Sequence, residues 1–339
     1  MGAQEFQDAN AACGLLPGPA STQLSIFCAY RVAGPAGAIV GGLGFIVPAV
    51  ILILALSLLF LAHSPPLWVQ GAGAGAGSAV AAVAVHAARS LTGPSFQHVR
   101  GKPGRTTRWV VYLAAGAAAA SLLGPYLVLV LLACGAIELL VRARPQPRGT
   151  LALLPPAVVS AGGLGPLVWT AFKVGALSFG GGFVIVPLMQ GDAVHVNHWM
   201  TGTQFLNAVA LGQVTPGPVV ATVAAVGYAA HGLAGGLLAA LVAFVPSFSF
   251  VLLGGRSFER LRGNHNARAF LDGAGPAAIG AIFGAAILLA GALHEAWQFA
   301  ILAAAALALL VFRRGIVATL LGAGTVGVVA AVLGAPLPH

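Results

Sequence analysis

Apolar runs of bilayer length follow one another along this sequence and leave few folds open to it. A helix that spans a membrane needs about 20 mostly apolar residues. Runs of that kind occupy 36–62, 71–89, 109–123, 125–141, 166–189, 234–254, 274–292, 296–312 and 316–334. Two more, 5–31 and 204–230, are long enough but carry LPGP and TPGP at their centres. Proline removes a backbone donor and clashes with the preceding turn, so neither can be one continuous helix. Only 7% of the 339 residues are charged, against about 25% in a soluble domain. So few charges cannot cover a water-facing surface, but they suffice for the loops of a bundle bathed in lipid. The expectation is an all-α polytopic membrane protein of about 10–11 membrane segments. It would be multi-pass in the inner (plasma) membrane, with the lipid bilayer as its surroundings.

Sixteen Lys and Arg outnumber seven Asp and Glu, for a net charge of +9. In a soluble protein that excess would suggest nucleic acid. Here the bases gather where apolar runs end: Arg89–Arg108, VRARPQPRGT at 141–150, Arg256–Arg268 and Arg313-Arg314. Cytoplasmic loops carry this bias, so the charge sets orientation and no nucleic-acid partner is expected. Cys13, Cys28 and Cys134 form no CxxC pair and read as small buried apolar side chains. The opening MGAQEFQDAN lacks the basic n-region of a secretory signal. No nucleophile–base pair, paired carboxylates, P-loop or nucleotide fingerprint is evident. The chain reads as a non-enzyme without a cofactor. Asp192, His195 and His198 have a loosely metal-like spacing, yet with Trp199 they read better as a polar loop with an aromatic anchor. No metal is expected. Glu138 reads as the i,i+4 partner of Arg142, and His86 as an interfacial histidine.

The two halves are related. Residues 5–45 align without gaps on 204–244 at an offset of 199: Phe6 on Phe205, Pro17-Gly18-Pro19 on Pro216-Gly217-Pro218, Gly37 on Gly236, Phe45 on Phe244. The chain thus divides into an N-terminal repeat, 1–148, and a C-terminal repeat, 149–339. On this offset the partner of Ser178 precedes residue 1, so the first repeat is expected to be incomplete at its start. With the 89–108 loop in the cytoplasm, the Arg31 turn two crossings earlier is cytoplasmic too. The basic 254–268 loop puts the matching His231-Gly232 turn outside. Equivalent turns face opposite sides, which is an inverted-topology repeat, a plan of secondary transporters with the substrate near the midplane. The crossing count closes if 204–230 is a re-entrant hairpin broken at Thr215–Pro218. A short extra crossing within 151–164 would also close it, but that stretch is brief and interrupted by Pro155-Pro156. The hairpin is preferred.

Irregular backbone at membrane depth is tolerated only inside protein or beside a wet cavity. The breaks are therefore the first candidate site: Pro17, Gly18 and Pro19, and Pro216, Gly217 and Pro218. Proline suits the first turn of a helix, and VVATVAAV can resume one after Pro218. Its first amides would point unpaired into the break, where helix N-termini attract anions. Ser21, Thr22, Gln23, Gln213 and Thr215 add uncharged donors. The plain alternative is a kink repaired by neighbouring helices, and occurrence in both halves argues against it. The second candidate is FKVGALSFGGGFVIVPLMQ at 172–190. Ser178, Gly180, Gly181 and Gly182 would loosen a helix and let another backbone or an ion approach. Lys173 costs roughly 3 kcal/mol at the bilayer centre and reads either as an anion contact or as a cation snorkelling to the interface.

At these two constellations the sequence resembles the chromate ion transporter family. The resemblance rests on Phe172-Lys173-x-Gly175, Ser178-Phe179-Gly180-Gly181-Gly182 and Pro187-Leu188-Met189, then on Trp199, Phe205 and Ala210-Leu211-Gly212-Gln213-x-Thr215-Pro216-Gly217-Pro218. In the first half it rests on Leu15 to Leu24 and on Gly42-Leu43-Gly44-Phe45-Ile46-Val47-Pro48. The resemblance implies a secondary transporter that exports chromate and confers chromate resistance. Transport or exchange of sulfate or another oxyanion is the alternative, as is a truncated member that does not transport. A homo-oligomer is left open.

Overall fold

In the computed structural model the described residues are 2, 6, 9, 13, 18–62, 64–101, 103–142, 163–178, 183–254 and 265–338. They form helices and turns, with no strand among them. The helices are α1 (Ala20–Phe60), α2 (Leu67–Gln97), α3 (Pro103–Leu122), α4 (Leu127–Arg142), α5 (Gly165–Ala176) and α6 (Ile185–Gln190). They continue as α7 (Gly202–Val214), α8 (Val223–Gly254), α9 (His265–Gly291), α10 (Ala296–Leu310) and α11 (Ile316–Val332). Among the described residues four stretches are long and apolar enough to cross a membrane: Ala20–Phe60, Leu67–Gln97, Val219–Leu253 and Arg268–Gly291. Ala296–Leu310 and Ile316–Val332 are shorter apolar helices. The chain is an all-α, multi-pass membrane protein.

Helices α1 and α8 each double back on themselves. In α1 the backbone leaves helical geometry at Ala33 and at Gly34 (φ 63°, ψ −152°). In α8 it does so at His231 and at Gly232 (φ 63°, ψ −156°). Only glycine enters that region without strain. Past each turn the second arm packs on the first: Gly37 and Gly41 on Ala29, and Gly235 on Gly227, with no room for a Cβ. The arm from 35 to 60 is about 39 Å long at 1.5 Å per residue, enough for a bilayer.

Small residues hold the bundle together, as they must where lipid removes any hydrophobic drive between helices. Helix α2 is a Gly/Ala rod with Gly71 and Gly75 against Gly327 of α11 and Gly73 against Asn207 of α7. Helix α9 sets Gly280 and Gly284 against Leu113 and Ala117 of α3, and Gly273 against Cys134 of α4. Outward-facing positions such as Leu140, Leu253 and Leu333 are exposed aliphatics, as a lipid-facing surface requires.

One charged cluster ties three helices. Glu138, buried on α4, accepts from Arg108 Nε (2.7 Å) and Nη2 (3.2 Å), from Tyr112 Oη (3.1 Å), and from Arg142 Nε (2.5 Å). Arg142 also pairs with Asp272 of α9. The i,i+4 pairing expected from sequence is present, as one strand of a larger net.

One apolar run breaks at the glycines expected to loosen it, and one sequence expectation fails. The run 166–189 is not one segment: α5 stops at Ala176, and α6 begins at Ile185. Residues 191–199 are not a loose polar loop either. Gly191–Val196 is a π-helical turn and Asp192 within it is buried.

Candidate functional site

The second break is described in full. Helix α7 opens with a capping box, in which Thr201 Oγ1 accepts from Gln204 N and Gln204 Oε1 accepts from Thr201 N. It ends at Thr215, which turns extended (φ −70°, ψ 128°) while its hydroxyl donates to Leu211 O. Gly217 then takes φ 139°, and Pro218 is extended (φ −74°, ψ 130°). A 3-10 turn, Val219–Thr222, leads into α8. Gly212 meets the Thr222 side chain across the break, so the chain reverses here. At the first break Gly18 has φ 121° and Pro19 is extended (φ −71°, ψ 106°) before α1 starts at Ala20. Pro17 lies outside the described residues. Among the described residues neither helix start has a side-chain cap.

The two breaks match residue for residue at 199, but the turns that follow, Gly34 and Gly232, are 198 apart. The gap-free alignment therefore slips by one between them, which brings Tyr30 onto Tyr228 and Pro48 onto Pro246. The 3-10 turn accounts for the slip. In the first half Gln23 N bonds back to Pro19 O, an α-type span, whereas in the second Ala221 N bonds to Pro218 O. Four residues of 3-10 rise about 8 Å, nearly what five rise in an α-helix.

Each break is also seated on the other half. Gly18 lies beside Ser247, and Gly217 beside Ala49; these two seats are themselves 198 apart. Several buried polar atoms nearby have no partner among the described residues, including Thr22 Oγ1, Ser247 Oγ and Gln213 Nε2. Unpaired buried groups of this kind are costly, and a polar guest would satisfy them.

The glycine segment contributes an ion pair. Lys173, in the last turn of α5, is 8% exposed, and Asp192 is 5% exposed. Lys173 Nζ lies 2.5 Å from Asp192 Oδ2, which also accepts from Thr170 Oγ1 at 2.7 Å. The ammonium sits 5.7 Å from the centre of the Trp169 ring. Lys173 is thus buried and ion-paired. Ser178 is fully buried, with its hydroxyl unpartnered among the described residues.

Of the other expected site residues, Gln23, Thr215 and Pro218 are buried, Gln213 is half-buried, and Ser21, Pro216 and Gly217 are exposed. Gly180, Gly181 and Gly182 lie outside the described residues. Among the described residues Lys173 makes no polar contact with Thr215–Pro218; its polar partner is Asp192. Asp192 is the residue that sequence reasoning missed. The available signal was a lone acid nineteen positions after a lone base, with only apolar and glycine residues between them save Ser178 and Gln190.

Comparison with known proteins bears on what such a bundle is for. The sequence matches the family described as "Chromate transporter" over residues 1–139 and 165–328. The chain belongs to the chromate transporter family. A chromate transport protein of Cupriavidus metallidurans is 31% identical over 298 residues, covering 84% of this chain and 73% of that protein. A probable chromate transport protein of Synechococcus elongatus is 31% identical over 317 residues, covering 88% and 77%. A chromate transport protein of Pseudomonas aeruginosa is 28% identical over 302 residues. No solved structure matches the chain. Both matched regions contain a Pro-Gly-Pro break, and the second contains Lys173 and Asp192.

Proposed function

We propose that this chain is a secondary transporter that carries chromate out of the cell, and that its two halves, 1–148 and 149–339, are inverted repeats whose breaks meet the anion from opposite sides. The observation that carries the reading is the reciprocal seating of the breaks, Gly18 on Ser247 and Gly217 on Ala49. A pair of uncapped helix starts, each roofed by the other half, supplies amide donors without a fixed negative charge. Helix starts of this kind favour anions. The second break acts as a re-entrant hairpin tip, a reading supported by the meeting of Gly212 with Thr222 across Thr215–Pro218. Family membership and the names of the relatives support chromate as the ion.

Ser21, Gln23, Gln213 and Thr215 supply hydroxyl and amide donors to the oxyanion, with Pro19, Pro216 and Pro218 keeping the backbone at the breaks out of helical geometry. Lys173, Ser178 and the run Gly180–Gly182 form a second contact region along the path. A negative-inside membrane potential favours expulsion of a dianion, by about 2.3 kcal/mol per charge per 100 mV, so no nucleotide is required. Chromate uptake by inside-out vesicles tests this reading, with resistance of a sensitive host as the cellular counterpart. Pro216→Ala should abolish both while the protein still inserts. Unimpaired uptake in that variant would remove the breaks from the path. Sulfate, which shares the tetrahedral shape and double charge, should compete.

A further inference from the structure

Asp192 is a buried carboxylate held on a buried cation. Its Oδ2 is held by two donors three residues apart on α5, Lys173 Nζ at 2.5 Å and Thr170 Oγ1 at 2.7 Å, with the Trp169 ring beside the ammonium. A cation buried to this degree needs a partner at all times, and the carboxylate provides one while the site is empty. We propose that Asp192 is a tethered competitor for the anion seat on Lys173, displaced only by an anion of higher charge, so that it sets the preference for doubly charged oxyanions. The proposal rests on reading the chain as an oxyanion carrier.

The logic is one of competition at a single ammonium. A monoanion offers Lys173 no more charge than Asp192 does, and the tethered carboxylate has the advantage of a high effective concentration. A dianion at the same distance gains about twice the Coulomb energy and can take the seat. The displaced carboxylate also has somewhere to go. Gly191–Val196 is a π-helical turn, closed by Asn197 N bonding five residues back to Asp192 O at 2.9 Å. Such single turns recur at functional sites. Removing the extra residue from this turn, by returning it to α geometry, rotates Asp192 by about 100° relative to the residues beyond it. That swings the carboxylate off Lys173 without unwinding the helix. Ser178 Oγ, buried and unpartnered among the described residues, lies five residues after Lys173 and is the donor available to the incoming anion.

Chromate uptake into proteoliposomes holding the full chain, with sulfate or nitrate as competitor at matched ionic strength, tests the proposal. In the unmodified protein sulfate should compete and nitrate should not. Asp192→Asn should lower the chromate concentration for half-maximal uptake roughly tenfold and turn nitrate into a competitor. Asp192→Glu, which keeps the charge, should exclude nitrate again. A purely structural role for Asp192 would not alter which anions compete. The proposal is overturned if nitrate competes as well as sulfate in the unmodified protein. It is equally overturned if an inserted Asp192→Asn weakens chromate uptake and leaves nitrate inert. Should Asp192→Asn fail to insert, the unmodified protein alone decides. Absence of any chromate uptake would instead sink the transport reading. Anion-dependent melting of the detergent-solubilised protein then decides the present inference, with stabilisation by sulfate but not by nitrate expected.

Discussion

Lys173 and Glu138 show what a charge inside an apolar bundle demands. Each is met by opposite charge: Lys173 by Asp192, whose carboxylate also accepts from Thr170, and Glu138 by two arginines and the Tyr112 hydroxyl. Removing one member of a buried pair leaves the other uncompensated, at about 3–5 kcal/mol. Lys173→Gln should therefore lower stability by that order and stop chromate uptake. Lys173→Gln combined with Asp192→Asn should regain most of the stability and none of the uptake; melting followed by tryptophan fluorescence in detergent separates the two. Lys173 was legible in the sequence because a base amid apolar residues stands out. Asp192 was not, since His195, His198 and Trp199 around it imitate an interface and its partner is reached through a glycine break, not a helical period. Likewise the Glu138–Arg142 spacing was legible, whereas Arg108 and Asp272 join that cluster only through the packing of α3 and α9 on α4.

The elements divide between those set by hydropathy and those set by glycine. Long apolar runs predicted α10 and α11 to within a few residues and the apolar centres of α2 and α9, which extend up to nine residues further, and the turns at Arg31 and His231-Gly232 were also readable. The division of 166–189 into α5 and α6 was signalled by its glycines, though its consequence for residues 191–199 was not. The one-residue slip between halves was signalled only by the recurrence of Tyr30 at Tyr228 and Pro48 at Pro246, because choosing α or 3-10 geometry after a proline depends on what the turn packs against. Gly34 and Gly217 offer a paired test. Both hold backbone geometry that strains a side chain, a cost of about 1–3 kcal/mol. A methyl on Gly34 meets open space, whereas one on Gly217 meets Ala49. Gly34→Ala should melt slightly earlier and keep transporting. Gly217→Ala should be destabilised further and lose uptake.

At the scale of the whole molecule the two halves are interleaved. α2 from the first lies on α7 and α11 of the second, and α3 and α4 clasp α9. Neither half has a finished interior alone. Residues 1–148 and 149–339 expressed as separate chains should accumulate in the membrane and take up chromate only when made together, which membrane fractionation and vesicle uptake would establish. The seating of Gly18 on Ser247 has a further consequence, for how the protein is born. The first Pro-Gly-Pro turn emerges from the ribosome roughly 230 residues ahead of the helix that covers it, a wait of about 10–50 s at ordinary elongation rates. Through that interval its bare amides sit in the membrane or the insertion machinery with nothing over them. The nascent first half must be sheltered until the second arrives, and slowing translation after α4 should send more of the chain to proteolysis.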